Sequence, residues 1–145
     1  MTAGPARLLI VDDEAAQMRA LCDTLQLEGY LTQGFSSARQ ALAGLRAGQI
    51  DLLLTDLMMP EMDGISLINA ARQIDPELGA IVMTGHGTID TAVQAMRGGA
   101  LDYILKPFKL NVILPVIARA LDVQRLRRGW ITGTAGATPA SCCSI

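Results

Sequence analysis

The chain has 145 residues, half of them apolar, with 14 acidic and 12 basic side chains and a formal charge of −2. That length fits one ordinary domain with a core of its own. The near balance of charge excludes the basic footprint of a nucleic-acid binder and offers nothing to a membrane surface.

Arg7-Leu8-Leu9-Ile10-Val11 reads as a strand and ends on the acidic pair Asp12-Asp13. Met18, Leu21, Cys22 and Leu25 recur at helical spacing between Glu14 and Glu28, and Gly29 stands where a C-terminal cap belongs. Tyr30 to Phe35 is a weaker strand, and Ser36-Ser37 caps a helix that carries Ala38, Ala41, Leu42 and Leu45 as far as Gly48.

Leu52-Leu53-Leu54-Thr55-Asp56 is the most informative stretch. An unbroken apolar run bounded by turn residues marks a strand buried on both faces of a parallel sheet. Open parallel sheets gather ligands where such strands end, and Asp56 falls there. A carboxylate in that position also serves simply to cap the following loop, Leu57 to Gly64, so the other strand ends must decide.

A helix from Ile65 to Ile74 follows, stopped by Asp75-Pro76. Ala80 to Thr84 is the fourth strand, and Gly85-His86-Gly87 turns the chain with His86 facing solvent. Thr88 caps a helix whose expected inner face is Ile89, Ala92, Val93 and Met96, closed by Gly98-Gly99. Leu101 to Leu105 is the fifth strand and ends on Lys106-Pro107. The last helix runs from Asn111 to Arg127, with Pro115 near its start, where a missing N–H does least harm. Arg125, Arg127 and Arg128 suit the dipole at its end.

Five strands alternating with five helices over short connections call for an α/β fold, a doubly wound parallel sheet covered on both faces. From Gly129 the composition shifts to Gly, Thr, Ala and Ser, so residues 129–145 are expected to form a disordered tail, although Trp130 and Ile131 have no part in that account. Cys22, Cys142 and Cys143 make neither a disulfide framework nor a zinc motif. Cys142-Cys143-Ser144-Ile145 matches a prenylation box only loosely, because Ser144 is not aliphatic. No uncharged apolar run reaches the length of a membrane span and residues 1–7 lack a signal-peptide core, so the expected location is cytoplasmic.

Parallel strands bring their carboxyl ends to one rim, which would gather Asp12, Asp13, Asp56, Thr84 and Lys106. Two like charges 4 Å apart cost roughly 4 kcal/mol at an effective dielectric near 20. A hard divalent cation would offset that repulsion, and magnesium suits a site with few carboxylates and room for waters and a phosphate oxygen. Zinc does not fit, since His86 is the only histidine and no cysteine lies at a strand end. A cation beside a carboxylate, faced by a lysine and a hydroxyl, is what phosphoryl transfer to Asp56 needs.

Asp12-Asp13, Asp56 with Met59-Pro60-Glu61-Met62-Asp63-Gly64, Thr84, and Tyr103 to Lys106-Pro107-Phe108 together resemble the receiver domain of two-component response regulators, over about residues 6–128. The resemblance implies a flavodoxin-like strand order 2-1-3-4-5. It implies that Asp56 is the phosphoacceptor, charged by a histidine kinase or phosphotransfer protein, and that Asp13 and Asp56 bind Mg2+ directly. Asp12 would act mainly through water, and Met58 would lend only its backbone carbonyl. Lys106 resembles the phosphate-contacting lysine, with a cis Lys106-Pro107 bond. Thr84 and Tyr103 resemble the switch pair, in which the hydroxyl moves to the phosphoryl group and the ring turns inward. That movement would remodel the face of the fourth helix, fifth strand and fifth helix, and a homodimer through this face is compatible with it. The protein would catalyse only its own phosphorylation and dephosphorylation, without binding nucleic acid or membrane itself.

Met58 departs from commoner patterns, and an apolar side chain there cannot orient a hydrolytic water, which predicts a long-lived acyl phosphate. Other readings fare worse. A pseudo-receiver, a binding module without phosphotransfer, has no need of the intact acidic pair, Asp56, Thr84 and Lys106. A flavin-binding protein would want a Gly-rich loop after the first strand. A haloacid-dehalogenase-type phosphatase would want an acid where Met58 stands.

Overall fold

The computed structural model describes residues 5–85 and 88–127. The expected tail at 129–145, with Trp130, Ile131 and the Cys142-Cys143 pair, lies outside the described residues, as do Arg128, His86 and Gly87.

The elements run β1 (Arg7–Val11), α1 (Ala15–Leu27), β2 (Leu31–Phe35), α2 (Ala38–Ala47), β3 (Leu52–Asp56), α3 (Gly64–Ile74), β4 (Gly79–Thr84), α4 (Ile89–Arg97), β5 (Asp102–Leu105) and α5 (Leu110–Arg127). All pairings are parallel, in the order β2-β1-β3-β4-β5. Element ends differ from the sequence reading by about a residue, the scatter expected of frayed termini.

Side chains alternate across a strand, so each central strand feeds two cores. Leu9, Val11, Leu53, Ala80 and Val82 pack on one face against α2 and α3, whereas Leu8, Ile10, Leu52, Leu54, Ile81 and Met83 pack on the other against α1 and α5. This explains the uninterrupted Leu run: Leu52, Leu53 and Leu54 are all fully buried, on alternate sides. At roughly 1.5–3 kcal/mol for each such side chain, the three leucines of β3 contribute on both faces of the sheet at once, as do Leu8 to Val11 of β1.

Two helix ends show why the glycines stand where they do. After α1, the amide of Tyr30 donates to the Leu25 carbonyl and that of Gly29 to Gln26, a closing motif that needs the left-handed conformation Gly29 adopts (φ +99°). At the start of α3, a Cβ on Gly64 would stand 2.5 Å from the Asp56 carbonyl oxygen, so only glycine lets the loop after β3 return this closely.

One sequence expectation is corrected. Ile89, Val93 and Met96 do not form the inner face of α4: they are 83, 43 and 49 % exposed. Ala95 is the buried residue of that helix, and Ala92 is partly buried. Small side chains let α4 lie close to the sheet, and the bulky apolar ones face outward.

Candidate functional site

The rim residues are held by the backbone ladder itself, which continues one step past three strands. The Asp12 amide donates to the Phe35 carbonyl (3.1 Å), that of Leu57 to Met83 (2.8 Å) and that of Lys106 to Thr84 (2.7 Å). Asp12, Asp56 and Lys106 are thereby set at one edge by main-chain geometry. With Asp13, Met58 and Thr84 they line a cleft of about 790 Å³, whose apolar wall is Ala20, Leu21, Pro107 and Phe108.

Within the cleft, one carboxylate oxygen from each of Asp12, Asp13 and Asp56 lies within 4.8 Å of the others. The Lys106 ammonium contacts Asp12 Oδ2 at 2.7 Å and Asp56 Oδ1 at 3.5 Å. Asp12 is buried, and its other oxygen accepts the Glu14 amide at 2.9 Å. Thr84 is buried at the end of β4, and the Lys106-Pro107 bond is cis.

Burial raises the Asp56 pKa; Lys106 lowers it in part, and the charges of Asp12 and Asp13 raise it further. Burial alone would lower that of Lys106, but its hydrogen bond to Asp12 and the charges of Asp12 and Asp56 outweigh this and leave it raised. Asp56 is therefore a carboxylate short of counter-charge. Three clustered oxygen donors open to solvent on the Asp13 side fit a small hard cation.

Some contacts were not foreseen from sequence. Gln17, on the exposed side of α1, accepts a long hydrogen bond from Lys106 (3.4 Å), which its place in the first turn of that helix, just after the Asp12-Asp13 pair, makes possible. Tyr103, half-buried on β5, shares a hydrogen bond with Thr91 of α4 at 2.9 Å, which no motif announced.

The sequence profile of the response regulator receiver domain matches residues 8–118. The chain belongs to that family. Receiver domains are phosphorylation-dependent signalling modules, and an acidic cluster that binds Mg2+ is part of their design. Among relatives, the chain is 40 % identical to the C4-dicarboxylate transport transcriptional regulatory protein DctD of Rhizobium meliloti, over 87 % of this chain and 27 % of that one. It is 39 % identical to the DNA-binding transcriptional regulator NtrC of Proteus hauseri, over 80 % of this chain and 24 % of the relative. The chain thus spans about a quarter of the length of the curated relatives it matches.

Solved structures agree. A CheY-like receiver domain from Methanospirillum hungatei superposes with a TM-score of 0.79 at 31 % identity, covering 85 % of this chain and 98 % of that one. The beryllofluoride-activated NtrC4 receiver domain, solved as a dimer in solution, gives 0.77 at 33 % identity and covers 81 % of this receiver and 98 % of its own chain. The flavodoxin-like order expected from sequence is the order observed. Among the described residues no helix is long and apolar enough to cross a membrane.

Proposed function

We propose that this receiver is a signalling switch in which Asp56 accepts a phosphoryl group from a histidine kinase or histidine phosphotransfer protein. The observation that carries the reading is the environment of Asp56, with two further carboxylates within metal-sharing distance and a lysine 3.5 Å away. A carboxylate oxygen of Asp56 forms the new P–O bond as the donor's P–N bond breaks. Lys106 stands ready to neutralise charge on the phosphoryl oxygens once its contact with Asp12 loosens.

Asp13 and Asp56 would hold magnesium directly, Asp12 through water since both of its oxygens already accept hydrogen bonds, and Met58 through its carbonyl. When bound, the ion supplies positive charge beside the transferring group. Thr84 then donates its hydroxyl to the acyl phosphate, and Tyr103 turns toward the space it leaves. A phosphoryl group adds roughly −1.5 to −2 charges and three acceptor oxygens, enough to draw both groups.

The output surface is the face of α4, β5 and α5. Ile89, Val93, Met96, Leu105 and Val112 are 43 to 83 % exposed on it, and an apolar patch of this kind marks an interaction site. We assign it to a homodimer formed on phosphorylation, as the relative activated with beryllofluoride is a dimer. The cytoplasm is the compartment in which such a partner kinase delivers its phosphoryl group. Intact-mass measurement after acetyl phosphate and Mg2+ tests the reading. One added phosphoryl group is expected, absent in Asp56→Asn; a wild-type chain that stays at its starting mass is a binding module, and the proposal fails.

A further inference from the structure

The Tyr103 hydroxyl ends at a crowded hydrogen-bonding site, the side chain of Thr91. Thr91 is the third residue of α4 and closes a capping box with Thr88: the Thr91 amide donates to Thr88 Oγ1 (3.1 Å) and the Thr88 amide donates to Thr91 Oγ1 (2.9 Å). Thr91 Oγ1 also donates to the Thr88 carbonyl at 3.0 Å, and lies 3.2 Å from Thr88 Oγ1 and 2.9 Å from the Tyr103 hydroxyl. A hydroxyl has one proton to give. With that proton on the Thr88 carbonyl, Thr91 accepts from the Thr88 amide on one side and from the Tyr103 phenol on the other.

The backbone of Tyr103 is fixed separately. Its amide donates to Asp102 Oδ1 (2.8 Å), and Asp102 Oδ2 is paired with Arg119 of α5 at 2.6 Å. Turning the ring is therefore the movement left to this residue, and it cannot proceed while the phenol stays on Thr91. Tyr103 pairs with Val82 across β4, two residues before Thr84, so ring and hydroxyl share one face of the sheet. Thr88 in turn follows Thr84 by four residues.

We infer that the Thr91 hydroxyl is a latch on the switch: it holds the Tyr103 ring against the first turn of α4, and activation has to break that bond. This rests on the reading that phosphorylation of Asp56 moves Tyr103. Thr91 is a positioning residue, acting on the switch through the ring and touching neither phosphoryl group nor ion. The latch also makes α4 responsive, because release of the phenol removes a partner from the hydroxyl that caps it.

The test uses the full chain labelled with 3-fluorotyrosine, whose two resonances, from Tyr30 and Tyr103, are assigned with Tyr30→Phe. Titration with beryllofluoride and Mg2+ follows the Tyr103 fluorine. Losing one net hydrogen bond changes the equilibrium roughly fivefold, and apparent affinity scales with the population of the competent state. Thr91→Val is expected to tighten beryllofluoride binding about fivefold and to move the Tyr103 resonance toward its saturated position before any is added. Thr91→Ser, which keeps the hydroxyl, should restore wild-type behaviour. Thr88→Ala weakens the cap but leaves the Thr91 hydroxyl on Tyr103, and should not shift the resonance. Wild-type affinity and resonance in Thr91→Val overturn the latch, as does a shift in Thr88→Ala equal to that of Thr91→Val. A wild-type Tyr103 resonance that stays still at saturation overturns the switch reading itself.

Discussion

Lys106 makes its short contact, 2.7 Å, with Asp12 and stands off from Asp56 at 3.5 Å. The lysine is thus the counter-ion of a buried acid as well as a neighbour of the acceptor. Their side chains are 18 and 4 % exposed. Lys106→Met should strand the Asp12 carboxylate and cost about 3 kcal/mol, the lower end for breaking a buried pair, measured by urea unfolding. The folded-state pKa of Lys106 is raised, so the lysine's contribution is complete below its ordinary value of 10.5 and is lost only as pH rises through the raised one. The loss in the variant should therefore be flat between about pH 6 and 9.

Asp56 carries the opposite prediction. Its pKa is raised in the folded protein by burial above all, so folding favours its neutral form, and its ionisation costs stability once pH exceeds the ordinary carboxylate range. Asp56→Asn should have a higher melting temperature than wild type at about pH 7. The advantage should narrow as pH falls toward about 4. Saturating Mg2+ should also narrow it, since an ion held at 100 times its Kd stabilises the wild type by about 2.7 kcal/mol. Thermal melts with magnesium and with a chelator check both statements.

Gly64→Ala places a methyl group 2.5 Å from the Asp56 carbonyl oxygen, a backbone atom that cannot step aside alone. A cost of about 1–3 kcal/mol is expected from overpacking. Because the displaced segment carries Asp56 and Met58, phosphorylation by acetyl phosphate should slow more than the loss of folded protein explains, which a time course on folded sample will show.

Met58 lines the cleft and is 61 % exposed. Replacing it with Asn supplies a polar group able to orient water beside the acyl phosphate. Met58→Asn should shorten the half-life of phosphorylated Asp56 several-fold, followed as loss of added mass in Mg2+ buffer; an unchanged half-life would remove Met58 from the account.

Ile89→Asp or Val93→Asp, on the outer side of α4, should change stability by no more than about 0.5 kcal/mol, as exposed positions do. Each should nevertheless abolish the dimer formed with beryllofluoride, seen by light scattering. A variant that still dimerises excludes this face.

The order of elements was legible because β3 and β4 are apolar without interruption, as only strands covered on both sides can be, and because each ends on a residue able to do chemistry. Gly29 announced a helix end through a conformation few other residues adopt. The inner face of α4 was misread for an identifiable reason: helical spacing marks an apolar stripe but not what covers it, and in α4 Ala95 packs inward while Ile89, Val93 and Met96 stay out. Asp12, Asp13, Asp56 and Lys106 could be brought together from topology alone. That Lys106 prefers Asp12, and that Tyr103 reaches Thr91, depend on distances of an ångström or less, below what spacing encodes.

Asp12, Leu57 and Lys106 each hang from a main-chain hydrogen bond to the neighbouring strand. Their addresses are therefore written in the backbone, and an exposed neighbour such as Met58 can be exchanged without moving the place where they act. A scaffold wired this way can be retuned at its mouth, for lifetime, ion preference or partner, one residue at a time while the frame beneath stays the same.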